Sequence, residues 1–313
     1  MNPSTPTLRD AIMVVLKTQE LAGIDLISDG ELSRYDVSHP ETNGMIDYFI
    51  QPMRGISSIL TRSDLEQFAS EQRMGFRVQP AGVVEEQVTE GTMNLPRDWK
   101  FFKGLSKSET MFTFTAPYML ARTLIDKHYG DIRQLTMDIA EVLRAQVQGI
   151  DAPVIQMDEA HLTGHAKDAE WVHEPFNHAL SGIQGEKALH LCFGNYGGQS
   201  IQKGYWKDLM PFLNKLDVDH LVLEFARRGY DELHEFGKLK PEIKLGVGVV
   251  DIKDNEVESP DLVAKRIENA VKVLGMDRIK WIHPDCGFWM LPRSVADRKM
   301  ASLVAGRDIY LDR

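Results

Sequence analysis

Apolar positions along the chain follow two rhythms in turn. Short runs of consecutive apolar residues end in acids, glycine or proline, and stretches with apolar residues near helical spacing come after them. Thr7–Ala22 predicts a helix, with Leu8, Ile12, Val15, Leu16 and Leu21 on one face. "IDLISDGE" (Ile24–Glu31) predicts a strand, and "MFTFTAP" (Met111–Pro117) the next inner one. Between them, "FRVQPAGVVEEQVTEG" predicts an inserted hairpin or edge segment, within an insertion over about residues 55–105. A helix over Asp131–Gln148, a strand "PVIQMDE" (Pro153–Glu159) and a helix over Ala169–Leu180 follow. Then come the strand "KALHLCF" (Lys187–Phe193) and a helix over Tyr205–Leu216. The last strands are "HLVLEF" (His220–Phe225), "IKLGVGVVD" (Ile243–Asp251) and "IKWIHPDCG" (Ile279–Gly287), with helices around Glu232, over Pro260–Leu274 and over Pro292–Val304.

Strands that alternate with helices imply a parallel sheet covered on both faces. The expected fold is α/β, a (β/α)8 TIM-type barrel over residues 1–313 as one domain, with its first strand short or missing before Thr7. A doubly wound open sheet is the rival, but no GxGxxG or P-loop stretch supports it. Polar residues favour the barrel. Asp29 and Glu31, Asp158 and Glu159, His190 and Cys192, Glu224, Asp251, and Asp285 and Cys286 each close an apolar run. Barrel enzymes place their sites at that end of the strands, whereas an open sheet gathers ligands at one switch point.

Charge narrows the function. With 46 acids against 36 bases the net charge is −10, and no basic stripe is present, so nucleic acid is not an expected partner. No apolar run approaches the roughly 18 residues of a membrane span. The start "MNPSTPTLRD" has neither the basic nor the apolar part of a secretory signal. Two cysteines make no disulfide framework, and a reduced, cytoplasmic protein is expected.

Those cysteines hold the candidate chemistry. His190 and Cys192 are two apart on a strand and share a face. Cys286 ends another strand, and Glu224 ends one between them in sequence. An imidazole, two thiolates and a carboxylate are a donor set for Zn2+ in four-coordination, and the soft sulfur disfavours Mg2+, Mn2+ or Ca2+. The competing reading is that each cysteine is a small buried hydrophobe.

"ISDGE", "VIQMDEA", "HLCFGN", "LVLEF", "GVGVVD" and "HPDCG", in this order, resemble the catalytic domain of cobalamin-independent methionine synthase, from about Leu8 to Leu311. The resemblance implies a (β/α)8 barrel with a catalytic zinc on His190, Cys192, Glu224 and Cys286. It also implies a homocysteine-like thiol substrate held partly by Glu31 and Asp158. Zinc lowers a thiol's pKa and keeps it as a thiolate, and the sulfur then attacks a methyl carbon. Glu224 is the ligand expected to leave as the sulfur arrives. The departing group needs a proton, for which Asp251 and Glu159 are the candidates.

This chain departs from the family pattern in places. No Gly-Ser-x-Pro stretch precedes Thr7, so closure of the barrel, and a homo-oligomer that covers an open edge, are expectations rather than inheritances. Lys253, in "DIKDNE", stands where the family has a proton-relay histidine. "DEAHL" replaces the usual "DEPAL", and Phe288 and Trp289 follow "PDCG". No counterpart of the family's folate-binding N-terminal half is read in this sequence, so the resemblance leaves a folate or, as in short relatives, a methyl-corrinoid protein as the expected methyl donor, with a donor other than polyglutamyl folate favoured. In "SRYDVSHPETNGMIDYF", His39 and Asn43 are candidate substrate contacts. Alkylation of another thiol, as in the epoxyalkane:coenzyme M transferases, is the alternative, although Glu31 and Asp158 favour an amino-acid thiol. A zinc hydrolase is disfavoured by two cysteines. A catalytically impaired paralogue is the remaining possibility.

Overall fold

A computed structural model describes residues 6–34, 43–71, 77–195, 199–289 and 291–312. The chain divides into two compact units, one of residues 1–16, 28–158 and 171–186, the other of residues 17–27, 159–170 and 187–313. The opening helix runs Pro6–Ala22 and buries Leu8, Ile12 and Leu16. It stops at Gly23, whose φ of 83° suits a residue without a Cβ. The expected strand over Ile24–Glu31 does not form. Ile27 makes an isolated bridge, and Gly30 and Glu31 take φ of 68° and 57°. The Glu31 N–H turns back onto Asp29 Oδ1 at 2.8 Å, which ends any extended run.

The first unit holds β1 (Arg54–Ser57), β2 (Gly82–Thr89), β3 (Met111–Thr115), β4 (Leu124–Asp126) and β5 (Val154–Glu159). β2 was expected in a hairpin or at an edge. It is instead the centre of a three-stranded sheet, antiparallel to β1 and parallel to β4. The partners are too short to read as strands alone. β2 joins them because it buries Val83, Val84 and Val88. β3 and β5 pair in parallel from Met111↔Val154 to Thr115↔Asp158. The helix Ile132–Val147 is capped by Asp131, whose side chain accepts the Arg133 N–H, and it buries Leu135, Ile139, Leu143 and Val147.

The second unit is built on β6 (Glu186–Leu191), β7 (His220–Leu223), β8 (Lys244–Val250) and β9 (Ile279–Pro284). They pair in that order, all parallel. Leu189, Leu191, Leu221, Leu223, Leu245, Val247 and Val249 are fully buried, as expected of strands covered on both faces. Because the strands are parallel, their C-terminal ends lie along one edge. Cys192, Glu224, Asp251 and Cys286 all sit just past those ends.

The helix Pro260–Leu274 begins at Ser259, whose side chain accepts the Leu262 N–H. The last helix runs Arg293–Tyr310, past the expected end at Val304. Gly306 does not break it, because a Cβ there would meet Val263 at 2.5 Å, so the glycine lets the two helices approach. Among the described residues no helix is long and apolar enough to cross a membrane.

Candidate metal centre

The second unit brings His190, Cys192 and Cys286 together, with their ligand atoms within 4.8 Å of one another. His190 Nδ1 lies 3.0 Å from the Val222 carbonyl oxygen. A carbonyl only accepts, so Nδ1 carries a proton and Nε2 is the ring nitrogen that would serve a metal once it is deprotonated. Cys192 is buried, its N–H donating to Glu159 O at 3.3 Å and its carbonyl accepting the Thr163 hydroxyl at 2.8 Å. The two thiols share a proton. The hydrogen bond from Cys192, then His190, holds the Cys286 thiol well below its ordinary range, and Cys286 together with burial pushes Cys192 up.

Glu224 is fully buried beyond the end of β7. It is not part of that tight trio. Its Oε2 accepts from Lys253 Nζ at 2.8 Å, and its Oε1 accepts no hydrogen bond among the described residues. A buried carboxylate oxygen without a donor, close enough to raise the Cys192 pKa, is costly for the protein alone. It suits a cation. Thiolate, imidazole and carboxylate donors together fit Zn2+.

Asp285 fixes the spacing of this centre. Its carboxylate accepts the N–H groups of Phe225, Ala226 and Arg227 at 2.9, 2.9 and 2.7 Å. It thereby ties the loop after Glu224 to the residue before Cys286. Burial pushes the Asp285 pKa up to about 7, against those bonds. Gly248 makes the room, since a Cβ there would lie 2.1 Å from Asp285 Oδ1. Neither role was read from the sequence, although both residues belong to stretches that the resemblance singled out.

Asp251 accepts the Lys253 N–H on Oδ1 at 2.8 Å and pairs with Arg227 at 3.3 Å. Its own N–H donates to Glu258 Oε1 at 2.7 Å. Glu159, fully buried, accepts the N–H groups of His161 and Leu162 on Oε1 at 2.6 and 3.0 Å, so one oxygen caps the turn Leu162–Gly164. Trp289 donates to Asn195 O at 3.2 Å, and Asn195 donates to Gly287 O at 3.1 Å. The indole itself stays 59% exposed.

Glu31 and Asp158 belong to the first unit. Glu31 Oε1 accepts from the Thr113 hydroxyl at 2.5 Å and pairs with Arg34 at 3.2 Å. Arg34, buried, also donates to Thr113 O at 2.5 Å, and its guanidinium carbon lies 5.5, 5.2 and 5.6 Å from the ring centroids of Tyr48, Phe49 and Phe112. Arg34 went unread in the sequence, where its only signal is a place three residues after Glu31. Asp158 accepts from Gln156 at 2.7 Å. Asn43 braces its own turn, its side chain taking the Met45 N–H at 2.9 Å. His39 lies outside the described residues.

The fold and this donor set define a class, a barrel-type α/β protein with a His/Cys/Cys cluster able to hold a metal. The structure is similar, with a TM-score of 0.80, to a B12-independent methionine synthase from Shewanella solved in complex with selenomethionine. That match covers 99% of this chain and 90% of the other at 21% identity, and it gives the TIM-barrel type of the fold. A putative vitamin-B12-independent methionine synthase of Listeria monocytogenes matches with a TM-score of 0.69 at 18% identity, over 96% and 86% of the two chains. In sequence, the methionine synthase of Sulfurisphaera tokodaii is 28% identical over 304 residues, 96% of this chain and 81% of the relative. The family of the cobalamin-independent synthase catalytic domain matches residues 2–306, and the chain belongs to that family.

Proposed function

We propose that this chain is a zinc-dependent methyltransferase that methylates the thiol of homocysteine to give methionine. The observation that carries the reading is the His190, Cys192 and Cys286 cluster within a chain of this family. His190 Nε2, both thiolates and Glu224 Oε1 would hold the zinc. The bound metal would supply a low thiol pKa while two thiolate ligands keep the substrate sulfur nucleophilic.

The protein's own residues do the rest. Val222 O fixes the His190 tautomer, and Asp285 fixes the Cys286 and Glu224 backbones. Glu224 would be the zinc ligand that gives way to the substrate sulfur. Glu31 and Asp158 take the ammonium group of the amino acid. Asp251 and Glu159 are the acids assigned to protonate the departing group. The methyl donor is a folate or a methyl-corrinoid protein. The cell compartment proposed is the cytoplasm.

The test is methionine formation from L-homocysteine with methyltetrahydrofolate, its polyglutamate, or methylcobalamin in turn. Methionine with one of these donors, and none from Cys286→Ser, is the expected result. A methyl thioether formed from coenzyme M but not from homocysteine would replace the substrate. No transfer to either thiol would leave the impaired paralogue.

A further inference from the structure

Lys253 takes no part in the chemistry above, yet its ammonium contacts Glu224 directly. Its side chain is 1% exposed and that of Glu224 is 0% exposed. Nζ donates to Glu224 Oε2 at 2.8 Å and to Ser200 Oγ at 3.0 Å. The backbone is held as well, because the Lys253 N–H donates to Asp251 Oδ1 at 2.8 Å. Asp251 is fixed in turn through its N–H by Glu258 at 2.7 Å. The ammonium is therefore placed from both ends of the residue.

A pair this deeply buried adds little net stability, since two desolvated charges cost about what their attraction returns. An apolar residue of the same volume would serve packing at least as well. Its position is the informative feature. One oxygen of Glu224 is taken by Lys253, and the other, equally buried, has no donor among the described residues.

We propose that Lys253 is a positioning residue that shares Glu224 with the metal, and so sets how easily a substrate thiol displaces that carboxylate. The proposal rests on the zinc reading above. Oε1 is left for the metal while Oε2 stays on Nζ. A carboxylate half neutralised by an ammonium is a weaker donor. With zinc bound, an entering thiol would lose its proton to solvent and take the place of Glu224 Oε1, and the carboxylate would stay on Lys253 Nζ. Two cysteine thiolates already balance Zn2+, so a third thiolate adds one negative charge. Lys253 compensates the displaced carboxylate and keeps it off the metal.

The variants are Lys253→Met, Lys253→Arg and Lys253→Met/Glu224→Gln. Zinc affinity is read by chelator competition. Thiol affinity is read from the sulfur-to-cobalt charge-transfer band when L-homocysteine is titrated into Co2+-loaded protein. Lys253→Met is expected to bind zinc about tenfold more tightly and homocysteine about tenfold more weakly, since the freed carboxylate turns to the metal. The double variant should recover homocysteine affinity to within about threefold of wild type. Lys253→Arg should stay near wild type in both. Zinc should also raise the melting temperature of Lys253→Met more than that of wild type, because the metal becomes the only cation for Glu224. Unchanged affinities in Lys253→Met, or an equal zinc-induced rise, would overturn the proposal. Wild type that takes no zinc, or shows no band with homocysteine, would fail the zinc reading itself and this proposal with it.

Discussion

Asp285→Asn replaces the carboxyl group by an amide at almost no change in volume, so it isolates the tie between the Glu224 loop and Cys286. In the wild type the carboxylate serves three backbone donors, with Phe225 and Ala226 on Oδ1 and Arg227 on Oδ2. An asparagine oxygen can keep the first two. Its amide group then faces the Arg227 N–H, donor against donor. The loss is one charge-assisted hydrogen bond and one stranded N–H, about 2–4 kcal/mol together. At 313 residues that predicts a fall in melting temperature of roughly 3–6 °C. The Glu224 and Cys286 backbones also lose their common anchor, so zinc affinity should fall about 10- to 100-fold, the usual cost of losing a residue that orients metal ligands. Calorimetry and chelator competition on the same samples give both numbers. Gly248→Ala pushes the same carboxylate, its Cβ meeting Oδ1 at 2.1 Å, and combined with Asp285→Asn it should cost less than the sum. Asp285→Asn with zinc affinity within twofold of wild type and an unchanged melting temperature would refute the anchoring role.

Two further predictions concern protons and the loop under Lys253. In the metal-free pair the Cys286 pKa is lowered and the Cys192 pKa raised, so the proton that zinc displaces should come chiefly from Cys192, and fewer should be released than from two ordinary thiols. Zinc affinity should then weaken further below the lowered Cys286 pKa, where a second proton must be displaced, and titration calorimetry in buffers of different ionisation enthalpy measures the count at each pH. Lys299 is fully buried against Glu258 at 2.8 Å, and Glu258 in turn holds the Asp251 N–H. Lys299→Met should destabilise the fold by about 3 kcal/mol, and adding Glu258→Gln should recover part of that, measured by denaturant unfolding.

Strands β6 to β9 were legible because each is a continuous apolar run closed by polar residues, which a parallel sheet requires. The helix Pro260–Leu274 was legible because spacing and the Ser259 cap agree, and Ala169–Leu180 through its apolar spacing. Ile24–Glu31 misled because its apolar body is real, with Ile27 fully buried, while the Asp29 turn that ends it depends on a side-chain acceptor. β1 and β4, of four and three residues, exist through β2 and carry no periodicity of their own. The His190–Cys192 pair was visible as an i, i+2 spacing on one strand. The partners that orient it were not. Asp285 reaches residues 225–227 and Lys253 reaches Glu224 across long separations in sequence, and only the register of β7, β8 and β9 brings those loops together.

The central claim is that this chain activates a thiol on a metal held by His190, Cys192 and Cys286. X-ray absorption at the zinc edge, with and without L-homocysteine, tests it most directly. The account predicts one zinc per chain with two sulfur neighbours, rising to three when homocysteine is added, while the nitrogen of His190 stays. A protein without zinc, or a sulfur count that homocysteine does not change, would contradict it.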